Sequence, residues 1–215
     1  MKLWSWILDL LYPPKCIFCS ALLKNEETDL CNHCRRDLPQ VMHSLKRGEC
    51  YEACYAAYYY EAMVAKSIRK FKFAGQAQYA DAYGRILAML ILHEHLEFDI
   101  LSWVPISNRR ARQRGYRQTK LIAQAIGREL GVQAVQTLQK VKDNVAQSTL
   151  KNEAQRRKNV SEAYEAISPE NFSQQRILLV DDVITSGATL SECARTLKKA
   201  GAKSVVCVTL AATRN

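Results

Sequence analysis

"ILLVDDVITSGATL" (residues 177–190) decides how this chain is read. Ile177 to Val180 are apolar and branched, with the length and character of a buried parallel strand. They run straight into Asp181 and Asp182. Adjacent carboxylates repel each other and have no place in an apolar core, so the strand is expected to leave the sheet at this pair. The small residues that follow, Thr185, Ser186, Gly187, Ala188 and Thr189, read as a turn opening a helix. A helix start of that kind aims backbone N–H groups and the positive end of the dipole outward, which suits a phosphate. Gly187 lets the backbone approach closely, and the three hydroxyls add donors. The pattern is neither the G-x-G-x-x-G dinucleotide fingerprint nor the G-x-x-x-x-G-K-[ST] loop.

Outward from this stretch, strands and helices alternate. "LSECARTLKKAG" (190–201) reads as a helix and "KSVVCVTLA" (203–211) as a buried strand. Upstream, "YAAYYY" (55–60) is strand-rich, and "MVAKSIRKFKF" (63–73) has helical spacing of its apolar residues. "AQYADAYGRILAMLILHEHL" (77–96) is a helix, "FDILSWVPI" (98–106) a strand, and "TKLIAQAIGRELG" (119–131) a helix closed by Gly131. "VQAVQTLQKV" (132–141) reads as a further strand. This order predicts an α/β domain with a mostly parallel sheet flanked by helices. Ligands of such sheets bind at the carboxyl ends of the strands, where Asp181 and Asp182 lie.

Two carboxylates beside a phosphate cradle would repel the phosphate unless they met something else. Vicinal hydroxyls match them, because they donate two hydrogen bonds to acceptor-only groups. A ribose 5-phosphate carries both pieces, and the stretch resembles the phosphoribosyl-diphosphate (PRPP) signature of type I phosphoribosyltransferases. A bare helix N-cap explains a Thr or Ser but not the order of the whole stretch. Receiver domains carry an acidic pair after their first strand, and too little chain follows this one. A second basic element, "WVPISNRRARQRGYRQTKLIA" (103–123), ends a strand, turns through a loop and enters a helix. Arg109, Arg110, Arg112, Arg114 and Arg117 cluster there. A pyrophosphate or a nucleic-acid backbone would neutralise them; a solvated basic face is the plainer alternative.

The totals agree with a soluble globular protein: 215 residues, 48% hydrophobic, 24% charged. The net charge of +10 suits a polyanionic partner. The N-terminal "MKLWSWILDLLYPPKC" is too short to cross a bilayer, is interrupted by Asp9, and lacks a signal-peptide cleavage site. It reads as an amphipathic helix stopped by Pro13-Pro14, and a cytoplasmic location is expected. "CIFC" (Cys16, Cys19) and "CNHC" (Cys31, Cys34) place four thiolates around one ion, the donor set of a structural zinc. Disulfides or a redox C-x-x-C are weaker readings. His33 is a reserve ligand, Cys50 and Cys54 have a looser spacing and no matching second pair, and Cys193 and Cys207 read as small core residues.

The chain resembles the ComF (ComFC-type) family of bacterial competence proteins over nearly its whole length. The features are "LYPPKC" before the first knuckle, "KFKFAG", "VP" with the Arg-rich loop, Arg114-Gly115 with Gln118, "QSTL" followed by "RRKNV", and the PRPP signature. Arg117 stands where members usually have Asn, and Tyr116 where they have Phe. Many members carry a second regular pair of knuckles, of which this chain keeps only Cys50 and Cys54.

The resemblance implies a zinc-finger module over residues 1–48 and a type I phosphoribosyltransferase-like domain over 49–215. It makes Pro105, Ile106, Ser107, Asn108, Arg109 and Arg110 the pyrophosphate loop, with magnesium accompanying PRPP. The stretch from Lys140 to Asn159 becomes a cover over the leaving group. Arg109, Arg110, Lys140, Lys142 and Arg156 are then candidates for neutralising that group. Asp181, Asp182, Thr185, Ser186, Gly187, Ala188 and Thr189 would hold the phosphoribosyl part. The implied role is in natural transformation, with single-stranded DNA and competence-machinery proteins as partners and no integral membrane segment. The fold class is compatible with a homodimer. An active phosphoribosyltransferase of nucleotide salvage, or a zinc-dependent scaffold with a vestigial pocket, are the alternatives.

Overall fold

The computed structural model describes residues 13–24, 26–41, 48, 50–142 and 162–214. The N-terminal segment before Pro13 and most of the expected cover, including Arg156, lie outside them. Four strands form the main sheet in the order β1 (Ala53–Tyr59), β6 (Ser204–Ala212), β5 (Arg176–Ile184), β2 (Ile100–Trp103). Every pairing in it is parallel. A right-handed crossover needs a helix between parallel neighbours, and the apolar periodicities supply them. α2 (Ala62–Phe73) and α3 (Tyr79–His93) lie between β1 and β2. α4 (Asn108–Arg114) and α5 (Gln118–Leu130) follow β2, and α6 (Ala188–Lys199) joins β5 to β6. A short α1 (Asn32–Asp37) precedes β1.

Alternation along β5 feeds two cores. Leu178 and Val180 pack on one face with Ile68, Phe71, Tyr83, Leu87, Ile122 and Ile126, from α2, α3 and α5. Ile177 and Leu179 pack on the other with Leu190, Cys193 and Leu197 of α6. α3 and α5 meet closely at Gly84, where a Cβ would lie 2.3 Å from that of Ala125. Gly131 closes α5 in the left-handed conformation, as the sequence predicts.

The expected strand at 132–141 is shorter than its pattern. Only β3 (Leu138–Lys140) forms, antiparallel to β4 (Tyr164–Ala166) in a separate two-stranded ribbon, while Ala134 bridges singly to Leu101. Gln133 and Gln136 break the apolar run, and both stay exposed. Residues 108–114, expected within a loop, form α4. Ser107 caps it, its Oγ accepting from the Arg110 N–H at 3.4 Å, and Gly115 closes it with φ at 81°. No described helix is long and apolar enough to cross a membrane.

The cysteine knuckles are built into the first core. Cys16, Ile17, Phe18, Leu30, Cys31, Cys34 and Leu38 belong to the same apolar cluster as Phe71 and Tyr83. Phe18 meets Tyr58 edge-on at 5.4 Å. The buried Ser67 hydroxyl donates to the Ile17 carbonyl at 2.6 Å and accepts from the Tyr83 hydroxyl at 2.6 Å. Asp29 takes a bidentate bond from Arg85 of α3, both contacts at 2.7 Å. The four Sγ atoms of Cys16, Cys19, Cys31 and Cys34 lie within 4.8 Å of one another. That separation fits a tetrahedral S₄ site for zinc. Burial and then the neighbouring thiols push the Cys34 thiol up, so four thiolates this close require a cation among them.

His33 is not drawn in: its Nδ1 faces Asp37 at 2.7 Å, on the surface. Cys54 lies in β1, level with Cys207, inside the second core. Stripping zinc with a chelator, or the Cys16→Ser/Cys19→Ser double variant, is expected to lower Tm by on the order of 10 °C, at about 2–4 °C per kcal/mol for a chain of this size. Calorimetry should show one transition moving as a whole, because the knuckles share the core of the sheet. An unchanged Tm would contradict the zinc assignment.

Candidate phosphoribosyl site

β5 does not end at the aspartates; it continues to Ile184, with Asp181 paired to Thr209 of β6. A strand directs successive side chains to opposite faces, and that alternation makes the pair tolerable. Asp182 is 8% exposed and faces α2, where its Oδ1 meets the Lys72 ammonium at 2.7 Å. Asp181 faces the second core. Its Oδ1 accepts from the Asp182 N–H at 2.8 Å. Burial raises the Asp181 carboxyl to about 7, and repulsion from Asp182 adds to the rise. The backbone hydrogen bond, Lys72 and Lys140 act against it.

Beyond Ile184 the chain turns through Thr185 and Ser186 to Gly187, which caps α6 with φ at 77°. Glycine is needed there twice over, for the positive φ and because a Cβ would sit 2.9 Å from the Tyr51 hydroxyl. A hollow forms, lined by Asp181 and residues 183–190, and the first N–H groups of α6 open onto it. Thr185, Ser186, Gly187, Ala188 and Thr189 therefore surround one small concavity beside the carboxylate of Asp181.

The Pro105–Arg110 segment reaches the same edge through β2, the neighbour of β5. Trp103 lies level with Val180, and the Val104 N–H donates to the Val180 carbonyl at 2.9 Å. Pro105 and Ser107 are buried, Ile106 and Arg110 half-buried, Asn108 and Arg109 exposed. Arg117 braces the loop from below: its guanidinium donates to Asn108 Oδ1 at 2.7 Å and to the Ile106 carbonyl at 3.4 Å. Arg114, half-buried, has its pKa lowered by burial, a change opposed by the charge of Asp182. Gln118, at the start of α5, is fully buried, and neither atom of its amide has a partner among the described residues. Such an orphan is uncommon in a folded chain and marks a place where a water or ligand group belongs.

Lys140 comes from the ribbon. Its ammonium stands 5.0 Å from the Tyr164 ring centre and 3.3 Å from that hydroxyl, on the Asp181 side of the sheet. Three residues of this neighbourhood carry no expectation from the sequence: Lys72, Tyr51 and Tyr164. "KFKFAG" marked the region of Lys72 and Phe73 without saying what either would touch. Tyr51 and Tyr164 carry no local signal. The thiol quartet is a separate centre, and no other potential metal-ligating cluster occurs among the described residues.

Comparison with known proteins agrees with both parts. Residues 120–215 match the phosphoribosyl transferase domain family, and residues 7–47 match the double zinc ribbon domain family. Competence protein F of Haemophilus influenzae is 27% identical, the match covering 89% of this chain and 93% of that protein. The DNA utilization protein YhgH of Escherichia coli (strain K12) is 27% identical over 88% of this chain and 86% of its own length. Competence protein ComFC of Bacillus subtilis is 27% identical over 86% of this chain and 78% of its own length. The zinc-ribbon match falls on the cysteine knuckles, the phosphoribosyl transferase match falls on the second half of the sheet, and the similarity to these competence and DNA-utilization proteins extends over most of the chain.

Proposed function

We propose that this chain serves natural transformation by binding PRPP, or a related phosphoribosyl ligand, together with magnesium, and by acting on single-stranded DNA with partners of the competence machinery. The observation that carries the reading is the meeting, at one sheet edge, of the Asp181–Asp182 pair, the turn 185–189 and the loop 105–110. In this reading Thr185, Ser186, Gly187, Ala188 and Thr189 take the 5-phosphate through hydroxyls and helix N–H groups. A ribose lying across the edge meets one carboxylate from each side of the sheet. The loop 105–110 takes the pyrophosphate. Arg109, Arg110 and Lys140, with Arg156 from the cover, neutralise it. The similarity to proteins named for competence and DNA utilization supports the process, and the +10 charge supports a polyanionic partner.

One observation favours a second reading, an active phosphoribosyltransferase. A carboxyl held near 7 can accept a proton from an attacking nucleophile at neutral pH, which an ordinary aspartate does poorly. Acceptor-dependent release of pyrophosphate across a panel of bases and amines separates the two readings.

Calorimetric titration of PRPP with Mg²⁺ into the zinc-loaded protein is expected to show binding that the Asp181→Asn/Asp182→Asn double variant loses by at least an order of magnitude, a difference of about 1.4 kcal/mol or more. Equal binding by both proteins would remove the carboxylates from the site. The charge state of Asp181 also has a signature in stability. Its folded pKa lies above the ordinary value of 3.8, so the folded state holds a proton that the unfolded chain releases between about pH 4 and 7. That contribution is complete below pH 4 and is lost as the pH rises through 7. Asp181→Asn should therefore match the wild type in Tm at pH 4 and exceed it by several degrees at pH 8, in thermal melts without ligand.

A further inference from the structure

We infer that Phe73 and Arg114 form a stacking shelf for a base of single-stranded nucleic acid at the rim of the phosphoribosyl site. The end of α2 sends three consecutive residues to three destinations. Phe71 is fully buried, its ring 5.2 Å from that of Tyr83 and 5.6 Å from that of Tyr116. Lys72 pairs with Asp182. Phe73 is 71% exposed. A lone exposed apolar residue needs no explanation, but this one has a partner. The Arg114 guanidinium lies 5.0 Å from the centre of its ring. Arg114 is itself half-buried and close to both Asp182 and Arg110, so the aromatic is tied to the edge of the site.

The surroundings choose the ligand. No Asp or Glu occurs between Glu61 and Asp81, nor between Asp99 and Glu129, so α2, α4 and the start of α5 carry only positive charge. Arg109, Arg112 and Arg117 are exposed along this surface. An open aromatic plane beside guanidinium groups suits a flat base whose neighbouring phosphates the arginines meet. A free base would call for an enclosed pocket, and an open ring favours a base carried on a strand. The shelf deepens the single-strand part of the proposed function. It places the strand next to the phosphoribosyl ligand, separated from it by Lys72 and Asp182.

The test uses fluorescence anisotropy of a labelled oligodeoxythymidylate with the full-length, zinc-loaded protein. Wild type, Phe73→Ala and Phe73→Trp are compared, with an abasic oligomer of equal length as a second probe. Phe73→Ala is expected to weaken binding of the thymidylate strand on the order of ten-fold and to leave the abasic strand unchanged. Phe73→Trp should retain affinity, with its fluorescence quenched by the thymidylate strand. Calorimetry with PRPP and Mg²⁺ should give the same affinity for Phe73→Ala as for wild type. The shelf is overturned if wild type and Phe73→Ala bind the thymidylate strand equally, or if the wild type does not bind it. It is also overturned if a free base quenches the Phe73→Trp emission and the strand does not. Absence of PRPP binding to the wild type would remove the phosphoribosyl reading and leave the strand result standing.

Discussion

Two carboxylates in neighbouring positions of a buried parallel strand are compatible with folding only because the strand sends them to opposite faces. The rest of the site follows from that constraint. Asp182, turned toward α2, needs a counter-charge and has Lys72. Asp181, turned toward α6, takes one backbone hydrogen bond and keeps its proton to a higher pH. The two acids thus differ in chemistry although the sequence writes them identically. One is held by a lysine, and the other changes charge near neutrality.

The parallel sheet was legible because its evidence is local. The apolar runs at 177–180 and 204–210 cannot be amphipathic helices, and the helices between strands carry their own periodicity and, at Gly131, their own stop signal. The quartet of Cys16, Cys19, Cys31 and Cys34 was legible because ligand spacing is set by the geometry of one ion. Where the strand would end was not. Repulsion would end the strand if both aspartates shared one environment, and the pleat gives them two. The basic segment departs from a loop for a related reason. Arginine is a good helix former, and Ser107 supplies the cap, so a run that looked too charged to order itself folds as α4.

The contacts of the site were the least legible part. Lys72 reaches Asp182 across more than half of the chain, and Tyr51 reaches the turn at Gly187 from the start of β1. Both depend on the tertiary arrangement, which places β1 beside β6 and packs α2 on the face of β5 that carries Leu178 and Val180. The joining of the zinc ribbon to the sheet has the same origin. The Ile17 carbonyl, the Ser67 hydroxyl and the Tyr83 hydroxyl form one buried chain of hydrogen bonds, and neither Ser67 nor Tyr83 belongs to a motif. The metal centre and the sheet consequently share a single apolar cluster.

The brace formed by Arg117 has a consequence for how a ligand would be received. By holding the Asn108 side chain and the Ile106 carbonyl at once, it fixes the segment between β2 and α4 before anything arrives. A shorter asparagine at that position would not reach both groups. The entropy of ordering that segment is then spent during folding rather than on association. Two chains offering the same backbone amides to an anion would differ in affinity by that amount, with no difference in the contacts made to it. An arginine at this position thus acts as a preorganising strut, and since both groups it holds are neutral, those contacts leave its charge in place.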